Sequence, residues 1–184
     1  IGGTPSRKEP SYWKGNIPWV SSGEVAFRRI SHTREQVTAL GVDNSSAKVL
    51  PAGTVLVGMI GEGKTRGQAA ILDQPAASNQ NAAAILCSAT PVQPEWLFYW
   101  FMASYETTRR GSAGGAQAAL NSERIRSLLF PLAPLAEQRR IVARIEALLA
   151  QANVIEQSAA AGSQHIVDIE RAVLARAFRG ELVE

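Results

Sequence analysis

The feature that most constrains this chain is a run of small and apolar residues in its last third that keeps one rhythm for ten positions. Ile141, Ile145, Leu148, Ala152, Ile155, Ala159, Gly162, Ile166, Ile169 and Val173 follow one another at alternating steps of four and three. A stripe with that period is the seam of a coiled coil. The string SAAAGS at 158–163 reads locally as a loop, and a glycine in a helix interior costs about 1 kcal/mol. Yet a loop has no reason to preserve the heptad phase across itself. The stripe therefore predicts one helix from about 135 to about 178, roughly 65 Å long at about 1.5 Å per residue. A helical hairpin or a kink is the alternative. So narrow a stripe on so long a helix needs a second helix to cover it. No other segment of the sequence carries a comparable one, so the cover is expected from another copy, another part of the same polypeptide or a second subunit.

The preceding residues have a different character. Residues 1–53 are rich in Gly, Pro, Ser and aromatic side chains and read as loops and brief strands. Three short apolar segments, 54–60, 68–72 and 82–87, are bounded by Gly, Pro or Asn and read as strands. Segment 94–110 opens with Pro94, a first-turn residue, and continues through Trp96, Leu97, Tyr99, Trp100, Phe101 and Met102. A helix apolar almost all round is expected to be buried. A Gly-rich linker at 111–115 then leads to a polar stretch and to Pro131 and Pro134, where the composition changes. The expected fold is α+β: a small mixed-β domain with a buried helix over 1–133, followed by a long coiled-coil helix over 134–184.

Charge is uneven along this plan. Residues 1–66 hold nine Lys and Arg against five Asp and Glu, 67–133 hold four against four, and 134–184 hold six against seven. The surplus of the whole chain therefore lies in its first third, as a protein with one phosphate-facing surface and a neutral scaffold would show; the plain alternative is a solubilising surface with charge uneven by chance. A lone cysteine, Cys87, excludes an internal disulfide, no Cys/His spacing suggests zinc, and no apolar run approaches a membrane span. The expectation is a cytoplasmic protein with no cofactor, no metal and no membrane. The chain opens Ile1-Gly2-Gly3 without an initiator methionine, so it is expected to be part of a longer polypeptide.

Residues 58–65, GMIGEGKT, match the phosphate-binding loop G-x-x-x-x-G-K-T. Nucleotide binding requires such a loop to open a helix whose N–H groups cradle the phosphates. Here Arg66-Gly67, a strand-like segment and Pro75 follow, which leaves no room for that helix. Asp43 with Glu62-Gly63-Lys64 imitates a metal-dependent nuclease set, but no Pro-Asp accompanies it and chance is the better account. Read as a loop between two strands, 61–68 (GEGKTRGQ) offers glycines for close backbone approach, Lys64 and Arg66 for phosphates and Gln68 for a base edge. The plain alternative is a solvated hairpin tip. Gln80 and Asn81 lie in the polar string SNQN, where amides read bases or simply make turns. Trp13 and Trp19 sit among Arg7, Lys8 and Lys14, with burial the expected fate of Trp19. His32 and His165 have no nucleophile, acid or metal partner nearby in sequence, so no catalytic residue is assigned.

Several strings together resemble the specificity subunit of type I restriction-modification enzymes, nearly end to end. They are GGTPS; YWKGNIPWVSSGEV at 12–25; AGTVLVGMIGEGKTRGQAAIL at 52–72; ASNQNAAAI at 77–85; and GGAQAALNSERI at 114–125. PLAPLAEQRRIVARIEALL at 131–149 and AFRGEL at 177–182 complete the set. The resemblance implies a non-catalytic subunit in which two recognition domains each read half of a split DNA target. Long antiparallel helices hold those domains apart, and the subunit brings methyltransferase subunits to adenines, with motor and nuclease subunits in the full complex. Only one recognition domain and one spacer helix are present here. The chain is thus either half of a full subunit or a half-subunit that pairs with a second copy, in which case its target would be palindromic.

On this reading Arg7, Lys8, Lys14, Lys64 and Arg66 are candidate phosphate contacts on double-stranded DNA. Gln68, Gln80, Asn81, Gln117 and Asn121 are candidate base readers. Ile141, Ile145, Leu148, Ile155, Ile166, Ile169 and Val173 form the candidate helix interface. The alternatives are a coiled-coil adaptor whose globular part binds protein and a nucleotide-binding protein acting through 58–65. An adenine methyltransferase is disfavoured because no Asn-Pro-Pro-aromatic motif occurs.

Overall fold

A computed structural model of the chain describes residues 2–61, 64–88, 90–110 and 120–182. The fold is α+β. It divides into two compact units, Ile1–Arg139 and Arg140–Glu184.

In the first unit, β1 (Trp13–Val20), β2 (Arg28–Ile30) and β3 (Glu35–Val37) precede a short helix, α1 (Ala39–Asp43). Then come β4 (Val55–Gly58), β5 (Ala69–Leu72), β6 (Ala77–Ser78) and β7 (Ala82–Ile85). Three helices follow: α2 (Pro94–Ala103), α3 (Tyr105–Arg110) and α4 (Ser122–Arg126). The strands form a three-stranded sheet ordered β3-β1-β6 and a four-stranded sheet ordered β2-β5-β4-β7.

The four-stranded sheet is buried on both faces, and the period of two along each strand divides the side chains between two cores. Val55 and Val57 of β4 with Ala69 and Ile71 of β5 pack against Leu97, Phe98 and Phe101 of α2 and Leu120. Leu56, Ala70 and Leu72 pack on the other side with Val20, Val25, Ile30 and Ala82. Strands apolar on every residue are what two covered faces demand, which is why 55–58 and 69–72 show no alternation. A third cluster joins Trp19 and Val37 to Ala47 and Ala77.

The strands expected at 54–60, 68–72 and 82–87 are present in shortened form. The helix expected over 94–110 is interrupted at Ser104, whose backbone N–H returns to the Trp100 carbonyl at 2.9 Å. The composition switches there from the apolar stretch to Tyr105-Glu106-Thr107-Thr108. Residues 13–20 depart in length, because an eight-residue strand occupies a region read as loops and brief strands. Pro18 is tolerated because β6 starts to pair with β1 only at Trp19.

Two segments of the resemblance prove to hold the fold. An added Cβ at Gly2 would lie 1.9 Å from the Ser78 carbonyl oxygen, so only glycine fits. The Glu24 carboxylate, buried, accepts from the Ser21 N–H and hydroxyl, each at 2.9 Å, and from the Arg34 N–H at 3.0 Å. The sequence Ser-x-x-Glu at 21–24 is thus a capping box.

In the last third, α5 (Leu135–Phe178) is one continuous helix of 44 residues running through Gly162. The helix expected over about 135 to 178 is present, and the SAAAGS segment does not break it.

Candidate nucleic-acid interface

β4 and β5 pair antiparallel, with Val57 opposite Ala69, and the turn between them is the segment that matches the nucleotide loop. The Gly58 N–H donates to the Gln68 carbonyl at 2.9 Å and the Gly67 N–H returns to the Gly58 carbonyl at 2.8 Å. Gly67 has φ +83°, a left-handed conformation that glycine adopts without strain. Residues 64–68 turn directly into β5, so among the described residues the segment does not itself open a helix, as nucleotide cradling requires. Glu62 and Gly63 lie outside the described residues.

Helix α3 props the described part of this turn. The Tyr105 hydroxyl donates to the Lys64 carbonyl at 2.6 Å and accepts from Arg109 Nη1 at 2.7 Å. The Lys64 side chain is exposed, while Arg66 is half-buried and its Nε has no hydrogen-bond partner among the described residues. Gln68 is half-buried at the base of the turn.

The register places more of the expected readers at this end of the sheet. β7 pairs with the other side of β4, Gly58 opposite Ala82, and the Met59 N–H donates to the Asn81 carbonyl at 2.9 Å. Gln68 and Asn81 therefore flank the end of β4. The Ser122 hydroxyl lies 3.9 Å from Met59 Sδ, which brings the start of α4 to the same place. Asn121 caps α4, its side chain accepting from the Arg124 N–H at 2.8 Å. Gln80 is exposed and its Oε1 accepts from the Thr4 hydroxyl at 2.7 Å. Asn79 is the turn-maker of its string, its side-chain Oδ1 accepting from the Asn81 N–H at 3.1 Å. Gln117 lies outside the described residues.

The basic residues near the N-terminus form a separate group. The Arg7 guanidinium stacks 3.7 Å from the Trp13 ring centroid and pairs bidentately with Glu35, Nη2 donating to Oε2 at 2.8 Å. Hydrogen bonding from Arg7 holds the Glu35 carboxyl below the usual glutamate range, and Glu35 raises the Arg7 guanidinium in return. The charge of Arg7 is therefore compensated where it stands. Trp19 is buried as expected, its indole N–H donating to the Gly3 carbonyl at 3.0 Å. Lys8 and Lys14 are exposed. A cavity of about 530 Å³ is lined by Arg7, Trp13, Lys14, Thr33, Arg34, Glu35 and Gln36. The sequence reading passed over Arg34 and Gln36, because a three-residue edge strand and the residue before it carry no motif.

In the second unit the seam residues Leu148, Ile155, Ile166, Ile169 and Val173 are exposed, Ile155 by 69%, and Ile141 and Ile145 are half-buried. Among the described residues no cluster of His, Cys, Asp and Glu is able to hold a metal ion. No described helix is long and apolar enough to cross a membrane.

A family model described as the type I restriction modification DNA specificity domain matches residues 1–160. The chain belongs to that family. Relatives of this specificity-domain chain include the specificity subunit of the type I restriction enzyme EcoR124I/EcoR124II from Escherichia coli. It is 25% identical over 145 residues, which are 77% of this chain and 36% of that one. The MjaIX specificity subunit of Methanocaldococcus jannaschii is 28% identical over 145 residues, 76% of this chain and 33% of the relative. The chain thus spans about a third of the length of these curated relatives. The expectation of a specificity component, not a catalytic one, agrees with what these relatives are.

The fold is shared with solved structures. The HsdS subunit from Thermoanaerobacter tengcongensis superposes with a TM-score of 0.71 at 22% identity, over 99% of this chain and 42% of that one. A chain in a structure of the type I R-M system gives 0.78 at 21% identity, over 99% of this chain and 43% of that one.

Proposed function

We propose that this specificity-domain chain reads one half of a split target on double-stranded DNA and has no catalytic chemistry of its own. The observation that carries the reading is the convergence of Gln68, Asn81 and the Asn121-Ser122 cap at the end of β4, beside Lys64 and Arg66. Amides and a hydroxyl are the groups that read base edges, and cations next to them position a duplex by its phosphates. Lys8, Lys14, Lys64 and Arg66 are the phosphate contacts on this account. Gln68, Gln80, Asn81, Gln117 and Asn121 supply the base readers. Arg7 acts from behind, holding Trp13 and Glu35 together.

Residues 1–133 form the recognition domain and 134–184 the spacer. The stripe of α5, half-buried at Ile141 and Ile145 and exposed at Leu148, Ile155, Ile166, Ile169 and Val173, docks the helix of the other half of the subunit or of a second copy. The assembled rod recruits the methyltransferase subunits, and in the full complex the motor and restriction subunits, in the cytoplasm.

Selection from a random duplex library by the chain together with methyltransferase subunits tests this. Enrichment of one short half-site is expected. Recovery of an unselected pool, with methyltransferase binding intact, would favour a coiled-coil adaptor that binds only protein.

A further inference from the structure

β1 does not run smoothly beside β3. Val37 of β3 stands opposite both Trp13 and Ile17, so Lys14, Gly15 and Asn16 bulge out of the ladder. A bulge re-aims a side chain out of the sheet. Within it, the residue that takes a left-handed backbone is Lys14, at φ +60°, although Gly15 and Asn16 beside it are the types that tolerate that conformation best. Backbone strain of this kind persists where the surroundings over-determine it, and it concentrates at functional positions.

Lys14 opens onto the 530 Å³ cavity on the β1–β3 side of the first unit. Arg7 and Glu35 cancel each other's charge in its wall. Two cations then remain, Lys14 and Arg34, each exposed and with no side-chain partner among the described residues. Gln36 lies on β3, an edge strand of its sheet, and Arg34 stands just before that strand; both are exposed and line the cavity. The Arg34 backbone is pinned by the Glu24 carboxylate at 3.0 Å, which fixes where its side chain starts. Two exposed cations without side-chain partners among the described residues, with an amide beside them, match the sugar-phosphate edge of a duplex, where cations meet phosphates and an amide meets sugar or base.

We infer that the bulge of β1 and the edge strand β3 form a second grip on DNA, separate from the β4–β5 turn, with Lys14 and Arg34 each on a phosphate and Gln36 beside them. This deepens the DNA-reading proposal and rests on it. The strained lysine is kept because its ammonium is needed at that point, and glycine would be the better residue for the fold alone.

That trade-off sets the test. Lys14→Gly, Arg34→Ala and Lys64→Ala are compared with the unaltered chain in complex with methyltransferase subunits, on the duplex enriched by selection. Lys14→Gly is expected to leave the melting temperature unchanged or raise it while weakening DNA binding by roughly five- to ten-fold near 0.1 M salt. Lys14→Gly and Arg34→Ala are each expected to flatten the slope of log affinity against log salt by about 0.9, as Lys64→Ala does. If Lys64→Ala flattens the slope and the other two do not, the second grip is refuted while the DNA reading stands. Lower stability of Lys14→Gly with unchanged DNA affinity, or loss of methyltransferase binding alone, also overturns it. If the unaltered complex binds no duplex, both proposals fall together.

Discussion

The side-chain oxygen of Gln138 accepts the backbone N–H of Gln93 at 2.8 Å. Gln138 is fully buried, and its Nε2 donates to the carbonyls of Pro91 at 2.9 Å and Ala133 at 2.7 Å. One amide thus satisfies three backbone groups and ties the first turn of α5 to the segment entering α2. Gln138→Ala leaves a buried N–H and two carbonyls without that partner, and a loss of about 2–4 kcal/mol is expected from desolvated, unpaired polar groups and the cavity. The urea midpoint of the altered chain measures it.

The Arg7–Glu35 pair is acid-sensitive. Glu35 is depressed chiefly by the hydrogen bond from Arg7, so its stabilisation is complete above the unfolded glutamate value of about 4.3 and is lost as pH falls through the lower folded value. Both side chains are more than a third exposed, so solvent screens the pair and the contribution is small, under about 1 kcal/mol. Stability curves of the unaltered chain and Glu35→Gln should differ above about pH 5 and converge in stronger acid. Parallel curves across that range would show that the pair contributes nothing.

Cys87 is buried, and burial first, with the charge of Glu95 second, pushes its thiol up to about 11. The thiolate is the reactive form. Alkylation by iodoacetamide at pH 8 is therefore expected to be slow in the folded chain and to accelerate in denaturant, read by mass spectrometry.

Ile155 and Ile166 are 69% and 60% exposed on the seam of α5. Ile155→Asp or Ile166→Asp places a charge where a partner helix would pack, and should abolish assembly while leaving the unfolding of the 1–139 unit unchanged. Light scattering with the partner present reads the first effect and near-ultraviolet dichroism the second. An unchanged mass would rule out the stripe as an interface.

Legibility from sequence followed the range of the forces involved. The steps from Ile141 to Val173 are local and periodic, so α5 could be read directly. Strands β4, β5 and β7 were legible as apolar runs, with ends shortened by turn hydrogen bonds such as Gly58 to Gln68. β1 was hidden because Gly15, Asn16 and Pro18 are poor strand residues, and their places are set by pairing with β3 across the intervening chain. The buried role of Gln138 depends on the Gln93 N–H and the Pro91 carbonyl, 45 and 47 residues away, and nothing in PLAEQRR announces them. Ser21-x-x-Glu24 is a local capping signature, but nothing in SSGEV announces that Glu24 also accepts the Arg34 N–H. The compensation of Arg7 by Glu35 belongs to the same class, since 28 residues separate the partners.

On this reading the positive surface of the first unit meets DNA phosphates. Affinity of the chain with methyltransferase subunits for its selected duplex, followed from 50 to 200 mM salt, tests it most directly. Four phosphate contacts give a slope of log affinity on log salt of about −3.6, and Arg34 as a fifth steepens it to about −4.5. A slope near zero would contradict the account.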